Sequence, residues 1–499
     1  MANIHLKYIN AVHMKVVAEP SILMELSDTL TFFADNYKFH PKYKSKMWDG
    51  KIRLMNMMTG YVYAGLAKRV KHFADSRDYT FDFDNEFLYT KITNEDVKDF
   101  ISTLSIPEEY ETREYQIDSI AKCLISGKRT LISPTSSGKS FMIYVLSRWY
   151  KQHKKLIIVP TIGLVTQMES DFREYGYKGK IHTSIGGLSK DCDIDAEMVI
   201  TTWQSLNNGK TKMPKQWYQQ FGMVVGDEAH GAKAKSLVDI LSSLVNCTYR
   251  FGTTGTLDGN PLNETTIEGL FGPRYQAVTT KELMDQGYVS KLKIKCIVLK
   301  YPEEVCKANK KKRDDITKAF GPAQRAAKYY AAEIDLITTD QSRMNYIKKL
   351  TLKLDGNKLV FFRLRDHGNE LTRVLEESSP NNVFYIDGGV KDRERIRKAI
   401  EDEENAILVA SLGTTSTGTS IKKLHHMIAA SPQKSKTKVP QSIGRMLRLH
   451  KQKETAYLWD IVDDLSYKSY ENYALQHFKE RVKMYDADKF DYDIIVIQL

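Results

Sequence analysis

Residues 133–140 read Ser-Pro-Thr-Ser-Ser-Gly-Lys-Ser. A loop that ends in Gly-Lys-Ser and opens a helix is suited to holding phosphate. Its backbone N–H groups point at the oxygens, the lysine reaches the outer phosphates, and the serine hydroxyl reaches magnesium. The full signature starts with a glycine ahead of four free positions, and here Ser133 stands in its place. The strict need for glycine inside the turn falls on Gly138, whereas Ser133 closes a strand and can keep its side chain. The nucleotide-binding set is therefore Ser136, Ser137, Gly138, Lys139 and Ser140. A second constellation follows at residues 223–230, Met-Val-Val-Gly-Asp-Glu-Ala-His. Here an apolar strand ends in two adjacent carboxylates, the place where parallel sheets bind ligands. One carboxylate can hold magnesium while its neighbour orients and deprotonates the attacking water. Lys139, Asp227 and Glu228 are thus the catalytic candidates, with Ser140 and Asp227 as magnesium ligands. The competing reading of residues 227–230, a solvated acidic turn, loses ground because the pair follows a phosphate loop at the end of a buried strand.

These groups need elements to position them. From about residue 106 to 280, short apolar runs (129–133, 155–160, 198–202, 223–227, 249–255) alternate with amphipathic helical stretches. That pattern predicts a parallel sheet covered on both faces. It recurs from 281 to 499, with candidate strands in LKIKCIVLK, NKLVFF, NVFYID, AILVAS, HHMIAAS and AYLWDIV. The run KANKKKRDD reads as an exposed loop or helix cap, and LSYKSYENYALQHFKERVKMYDADKF as helical. Residues 1–105 mix strand-like and helical runs, an α+β pattern, with a hairpin across WDGKIRLMNMMTGYVYAGL and a linker at SIPEEYE. The expected architecture is α/β: two parallel-sheet lobes in tandem behind a small α+β unit.

Gly-Lys-Ser followed by Asp-Glu-Ala-His resembles the superfamily 2 helicases and translocases, whose lobes are RecA-like. Other motifs of that family stand in order: TREYQIDSI (112–120), PTIGLVTQ (160–167), TTWQSL (201–206), TGT (254–256), SLGTTSTGTSI (411–421) and QSIGRMLR (441–448). The resemblance covers about residues 105 to 465 and implies ATP and Mg²⁺ as cofactors. It makes Gln116 the adenine reader with Tyr115 beside it, and gives Thr254 and Thr256 a coupling role. Arg445 and Arg448 become arginine fingers, supported by Gln441 and Gly444, with the ATP in a cleft between the lobes. Two arginines three apart on a helix point to similar faces; taken without the motif they would be surface phosphate binders. Thr161, Gln167, Trp203 and Gln204 become nucleic-acid contacts in the first lobe, and Arg363, Thr417, Gly418 and Lys434 in the second. Trp203 is equally open to a core role. Departures from the family pattern are Ser137, where alanine is common, and TGT in place of SAT. The ending of QSIGRMLR is closer to DNA-acting members than to RNA helicases. The whole chain, with its basic N-terminal unit, resembles the branched-DNA helicases of T4-like phages. That implies 3′-to-5′ unwinding of Holliday junctions, forks, D-loops and R-loops in recombination, repair and replication restart.

Composition agrees with a nucleic-acid partner. The formal net charge is +12 over 499 residues. From Lys38 to Lys71 there are nine Lys or Arg and a single acid, Asp49, and from Lys422 to Lys453 nine and no acid. A solvated face usually mixes signs, so such stretches favour phosphate contacts. Lys42, Lys44, Lys46, Lys51 and Arg53 flank Tyr43 and Trp48, which suggests a duplex- or junction-binding surface. The alternative is that Trp48 and the tyrosines fill the unit's small core. The five scattered cysteines form no C-x-x-C pair, which argues against zinc or disulfides and for a reducing compartment. Asp460, Asp463 and Asp464 read as capping or solvating a strand rather than binding metal. With no signal peptide and no membrane-length apolar run, a cytoplasmic chain is expected, and a monomer. Two other readings stay open: an RNA or RNA–DNA hybrid helicase, and an ATP-regulated annealing scaffold.

Overall fold

A turn at Asn10 splits the alternating N-terminal run into two strands. Its side-chain oxygen accepts the N–H groups of Val12 and His13, each at 2.9 Å. The strands Ile4–Tyr8 and His13–Ala18 pair antiparallel. They form a mixed five-stranded sheet in the order Met55–Asn56, Tyr61–Tyr63, His13–Ala18, Ile4–Tyr8, Phe81–Phe83, with the last pairing parallel. The helices Pro20–Thr29 and Ala67–Asp75 pack on it around Leu6, Met14, Leu26, Val62 and Val70. The computed structural model describes residues 3–84, 90–184, 195–208, 211–390, 392–411, 421–432, 443–444, 446–451 and 453–499. The chain divides into two compact units, Met1–Val278 and Thr279–Leu499.

The first unit also holds a seven-stranded, all-parallel sheet. Its order is Ile181–Ser184, Met198–Thr202, Lys154–Val159, Phe221–Asp227, Tyr249–Thr254, Lys128–Ile132, Arg274–Gln276. The expected strands are all present, because buried runs such as Met198–Thr202 have both faces covered. Two edge strands, Ile181–Ser184 and Arg274–Gln276, carry no such apolar run and were not foreseen. The order places Lys128–Ile132, Tyr249–Thr254 and Phe221–Asp227 side by side. Their C-terminal ends therefore bring together the phosphate loop, the Thr253–Thr254 pair and the two acids.

The second unit repeats the plan: Val383–Ile386, Ile407–Ser411, Lys358–Phe362, His426–Ala429, Thr455–Asp464, Lys291–Lys300, Tyr492–Gln498, again all parallel. Two expectations need correcting here. The run 307–315 is neither loop nor cap but the middle of the helix Glu303–Ala319. Lysine and arginine are good helix formers, two acids open its first turn, and Lys310 pairs with Asp314 one turn on. The tail expected to be helical holds the helix Tyr473–Ala487, and beyond it Tyr492–Gln498 forms an edge strand that leaves Ile494 and Val496 each 51% exposed. Asp460 and Asp463 are not solvated. Asp460 pairs with Arg481 (2.9 Å), and Asp463 with Arg343 (2.6 Å), all four buried. Only Asp464 caps, accepting Ser466 N–H at 3.0 Å. The four described cysteines, Cys123, Cys247, Cys296 and Cys306, are buried thiols, and Cys192 lies outside the described residues.

Candidate functional site

Ser133 is buried at the end of its strand, where its N–H donates to Thr254 O (2.8 Å). Its hydroxyl meets the hydroxyl of Ser137 at 2.5 Å, and Ser137 Oγ donates to Pro134 O (2.7 Å). Ser133, in the place of the signature's first glycine, and Ser137, where the family commonly has alanine, thus brace each other across the loop. Gly138 caps the helix Lys139–Trp149 at φ 79°, and a Cβ there would lie 2.3 Å from the Gln116 amide nitrogen. The backbone conformation calls for glycine, and a side chain there would also displace the Gln116 amide. Lys139 Nζ donates to Ser133 O (3.1 Å) and Pro134 O (3.4 Å), so its ammonium is curled into the loop. Ser140 Oγ lies 3.1 Å from the hydroxyl of Tyr175, a buried ring set edge-on against Tyr110 and Phe141.

The segment 113–116 braces the loop from outside. Gln116 accepts Arg113 N–H (3.0 Å) and donates to Ser137 O (3.0 Å), while Tyr115 OH donates to the same carbonyl (2.8 Å). Arg113 Nη1 donates to Tyr115 OH (2.9 Å) and Ser136 O (3.4 Å). Ser136 sits at φ 70°. Both ends of the Gln116 amide are therefore engaged with the protein, and reading an adenine would exchange one of these bonds.

Asp227 ends its strand opposite Thr253, whose hydroxyl donates to Asp227 Oδ1 at 2.7 Å. Burial raises the carboxyl pKa of Asp227, with Glu228 adding to the rise, against the opposing pull of Lys139 and Thr253. Glu228 holds a left-handed backbone (φ 51°, ψ 51°). That conformation is costly for a residue with a side chain and is typical of functional turns. Thr254 Oγ1 donates to Thr256 O (2.8 Å) and so accepts from His230 Nδ1 (3.0 Å), which also lies 3.2 Å from Glu228 Oε2. His230 therefore ties the second acid to the 254–256 segment. The hydroxyl of Thr256 is buried without a hydrogen-bond partner.

Asp227→Asn is expected to raise the melting temperature of the nucleotide-free chain at neutral pH while abolishing hydrolysis. The native pKa lies above the unfolded one, so ionisation costs native stability as pH rises through the native value. The cost is absent below the ordinary aspartate value of about 3.9. Melts of both chains across this range check it: the gain should vanish in acid. Equal melting temperatures at neutral pH would contradict a strained carboxylate.

Of the nucleic-acid candidates, Thr161 begins the helix Ile162–Glu174 with its hydroxyl buried and unpartnered. Gln167 is exposed and donates to Asp171 (2.6 Å), and Gln204 is exposed and donates to Pro160 O (3.4 Å). Trp203 is half-buried and packs on the lobe core. Lys38, Lys44 and Lys46 surround a 590 Å³ pocket with Tyr43, Met47, Trp48 and Asp49, while Lys42 lies on the adjoining short helix outside its lining. Trp48 braces this loop by donating to Lys51 O (2.9 Å) and is absent from the unit's core. Arg53 occupies the local acid, Asp49 (2.5 Å). In the second unit Arg363 is exposed, its guanidinium donating to Tyr330 OH (2.7 Å). Arg448 is half-buried, and the preceding residue's carbonyl accepts Ser290 N–H (2.8 Å). Gln441, Arg445, Thr417, Gly418 and Lys434 lie outside the described residues.

Sequence reasoning passed over Arg113, Tyr175, His230 and Thr253. Arg113 and His230 sit inside motifs already singled out. Thr253 and Tyr175 reach the site through strand register and helix packing, which no local spacing reveals.

Two tandem parallel-sheet lobes, with a phosphate loop facing a pair of strand-end acids, define an ATP-driven motor of the superfamily 2 helicase class. Comparison with known proteins agrees. Residues 3–84 match the family described as DNA helicase UvsW, N-terminal, and residues 109–259 match type III restriction enzyme, res subunit. The ATP-dependent DNA helicase uvsW of Enterobacteria phage T4 is 35% identical over 98% of both chains. The crystal structure of T4 UvsW covers 99% of both chains at 34% identity, with a TM-score of 0.51. The DNA 3′-5′ translocase XPB2 of Sulfurisphaera tokodaii is 22% identical, covering 74% of this chain and 85% of its own. The chain belongs to the UvsW helicase family. Among the described residues, no helix is long and apolar enough to cross a membrane.

Proposed function

We propose that this helicase couples ATP hydrolysis to 3′-to-5′ movement on DNA and unwinds or branch-migrates Holliday junctions, forks, D-loops and R-loops. It would serve recombination, repair and replication restart in the host cytoplasm, as a monomer. The observation that carries the branched-DNA reading is the pocket of Lys38, Lys44, Lys46, Tyr43 and Trp48 in the N-terminal unit. Cations beside aromatic faces suit backbone phosphates and unpaired bases. The likeness to a 3′-5′ translocase supports the polarity.

Within the first lobe, Lys139 exchanges its two carbonyl partners for the outer phosphates. Gln116 and Tyr115 hold the loop and the base, and Ser136, Ser137 and Gly138 supply loop N–H groups. Glu228 accepts the proton of the attacking water, and His230 keeps that carboxylate oriented. Arg445 and Arg448 of the second lobe stabilise transition-state charge, and Gln441 binds the nucleotide. Ser140 and Asp227 are the residues that would hold Mg²⁺. They fit a cation, because burial disfavours the Asp227 carboxylate until a positive charge joins it. When bound, Mg²⁺ neutralises phosphate charge. Thr161, Gln167, Trp203, Arg363, Thr417 and Gly418 contact the tracked strand through its backbone, and Lys42, Lys44 and Lys46 contact the duplex or junction.

The test is ATP hydrolysis at fixed salt with no nucleic acid, single-stranded DNA, forked DNA and single-stranded RNA, with Lys139→Ala beside it. Strong stimulation by forked DNA, lost in the variant, is expected. Preferential stimulation by RNA would replace the DNA reading with an RNA helicase, and no stimulation by any of them would end the motor reading.

A further inference from the structure

The helix Pro261–Phe271 follows the 254–256 segment after a short connection and touches the N-terminal unit along its length. At its start, Asn260 Oδ1 caps the N–H groups of Leu262 and Asn263 (2.9 and 3.3 Å), while Asn260 Nδ2 donates to Asp35 (2.9 Å). Further along, Arg69 pairs with Glu268 at 2.8 Å, and Glu268 is only 7% exposed. Near its end the backbones meet: a Cβ on Gly65 would lie 2.2 Å from Glu268 O, and one on Gly269 would lie 2.8 Å from the Tyr63 side chain. Gly65 lets the backbone of the N-terminal unit seat against the helix, and Gly269 leaves room for the Tyr63 side chain.

The other side of the helix faces the catalytic strands. Phe271 is fully buried. Its ring lies where a Cβ on Gly226 or Gly252 would go, 2.5 and 2.9 Å from ring atoms. Gly226 and Gly252 are register partners on adjacent parallel strands. They form a flat seat one residue before Asp227 and Thr253, which are register partners in turn and are joined by the 2.7 Å hydrogen bond. The neighbouring Leu270 carbonyl accepts the buried Arg250 guanidinium at 2.6 Å, which also holds Leu244 O (3.1 Å) and Leu241 O (2.8 Å). The end of the helix is thus pinned to the sheet, and its flank to the N-terminal unit.

We propose that Phe271 is a positioning residue for the Asp227–Thr253 pair, and that its helix makes ATP turnover depend on how the N-terminal unit is seated. The proposal rests on Asp227 belonging to the ATP site. The backbone ladder fixes the spacing of the two strands. The residues before Asp227 and Thr253 have no side chains to hold them off the helix, so the ring lying over both sets how the two strand ends sit against it. A change in the seating of Gly65 or Arg69 moves that ring with the helix.

The test uses the full chain. Phe271→Leu keeps the site apolar but removes the flat ring, and Arg69→Gln removes the half-exposed ion pair at the far contact. Turnover with single-stranded DNA is measured per mole of nucleotide-binding sites, so that misfolded chain does not count, with a fluorescent ADP analogue reporting affinity. Phe271→Leu should lower kcat by roughly 10- to 100-fold, as sub-ångström to ångström misplacement does, with KM for ATP and ADP affinity unchanged. Arg69→Gln should lower kcat by about two- to thirtyfold, again without change in ADP affinity. The double variant should lose little beyond Phe271→Leu alone, because both act through one element. Parent-like kcat in Arg69→Gln would overturn the link to the N-terminal unit. Loss of ADP affinity matching the loss of kcat in Phe271→Leu would overturn the positioning role. If instead Asp227→Asn hydrolyses ATP normally, it is the reading of the ATP site that fails.

Discussion

Replacing Glu228 by glutamine should leave a chain that binds ATP and scarcely turns it over, with kcat lower by about 10²–10⁴-fold, the usual contribution of a positioned general base. The substitution is isosteric, so the left-handed turn at φ 51° and the contact to His230 at 3.2 Å have a partner of the same shape. What is lost is the capacity to take a proton. ATP affinity should stay within a small factor, because Lys139 and the loop N–H groups are untouched. Single-turnover hydrolysis beside a nucleotide-binding titration reads the two apart. A parallel fall in affinity and rate would mean that Glu228 shapes the pocket rather than serving as base, and an unchanged rate would move the base elsewhere.

Arg448→Ala should cost about 10³–10⁵-fold in nucleic-acid-stimulated kcat, the range for arginines that stabilise phosphoryl-transfer charge. Leu447, the residue before it, is anchored by its carbonyl to Ser290 N–H at 2.8 Å, a backbone contact that the substitution leaves in place. Folding of the second unit should therefore be preserved, and DNA binding in the absence of nucleotide should change little. Arg448→Lys should recover only a small part of the loss, because an ammonium lacks the planar fork that meets two phosphate oxygens at once. A variant that loses DNA affinity and keeps its turnover at saturating DNA would identify Arg448 as a phosphate contact of the track instead.

Much of the candidate ATP site was legible because its parts are local. A glycine forced into a positive φ, a lysine beside it and two acids closing an apolar strand announce themselves by type and spacing. The same holds for the buried strands of both lobes, whose continuous apolar runs require cover on each face. The misreadings share a cause. Residues 307–315 look like a loop because charge dominates their composition, yet charge placed at helical spacing stabilises a helix. Asp460 and Asp463 look solvated until their partners arrive, Arg481 from the following helix, 21 residues on, and Arg343 from a helix 120 residues back.

The sequence by itself determined the class of chemistry, the two-lobed α/β plan and the acid-poor stretches that invite a polyanion. These depend on residue type and short spacing. Only the tertiary structure decided which groups support that chemistry. Thr253 meets Asp227 because two parallel strands share a register, and Ser133 meets Ser137 because the loop folds back on itself. Phe271 reaches the acid-bearing strand because Gly226 and Gly252 lie opposite each other and leave room for a ring. Contacts between distant segments depend on register and on the absence of side chains, and neither is written in any one stretch of the chain.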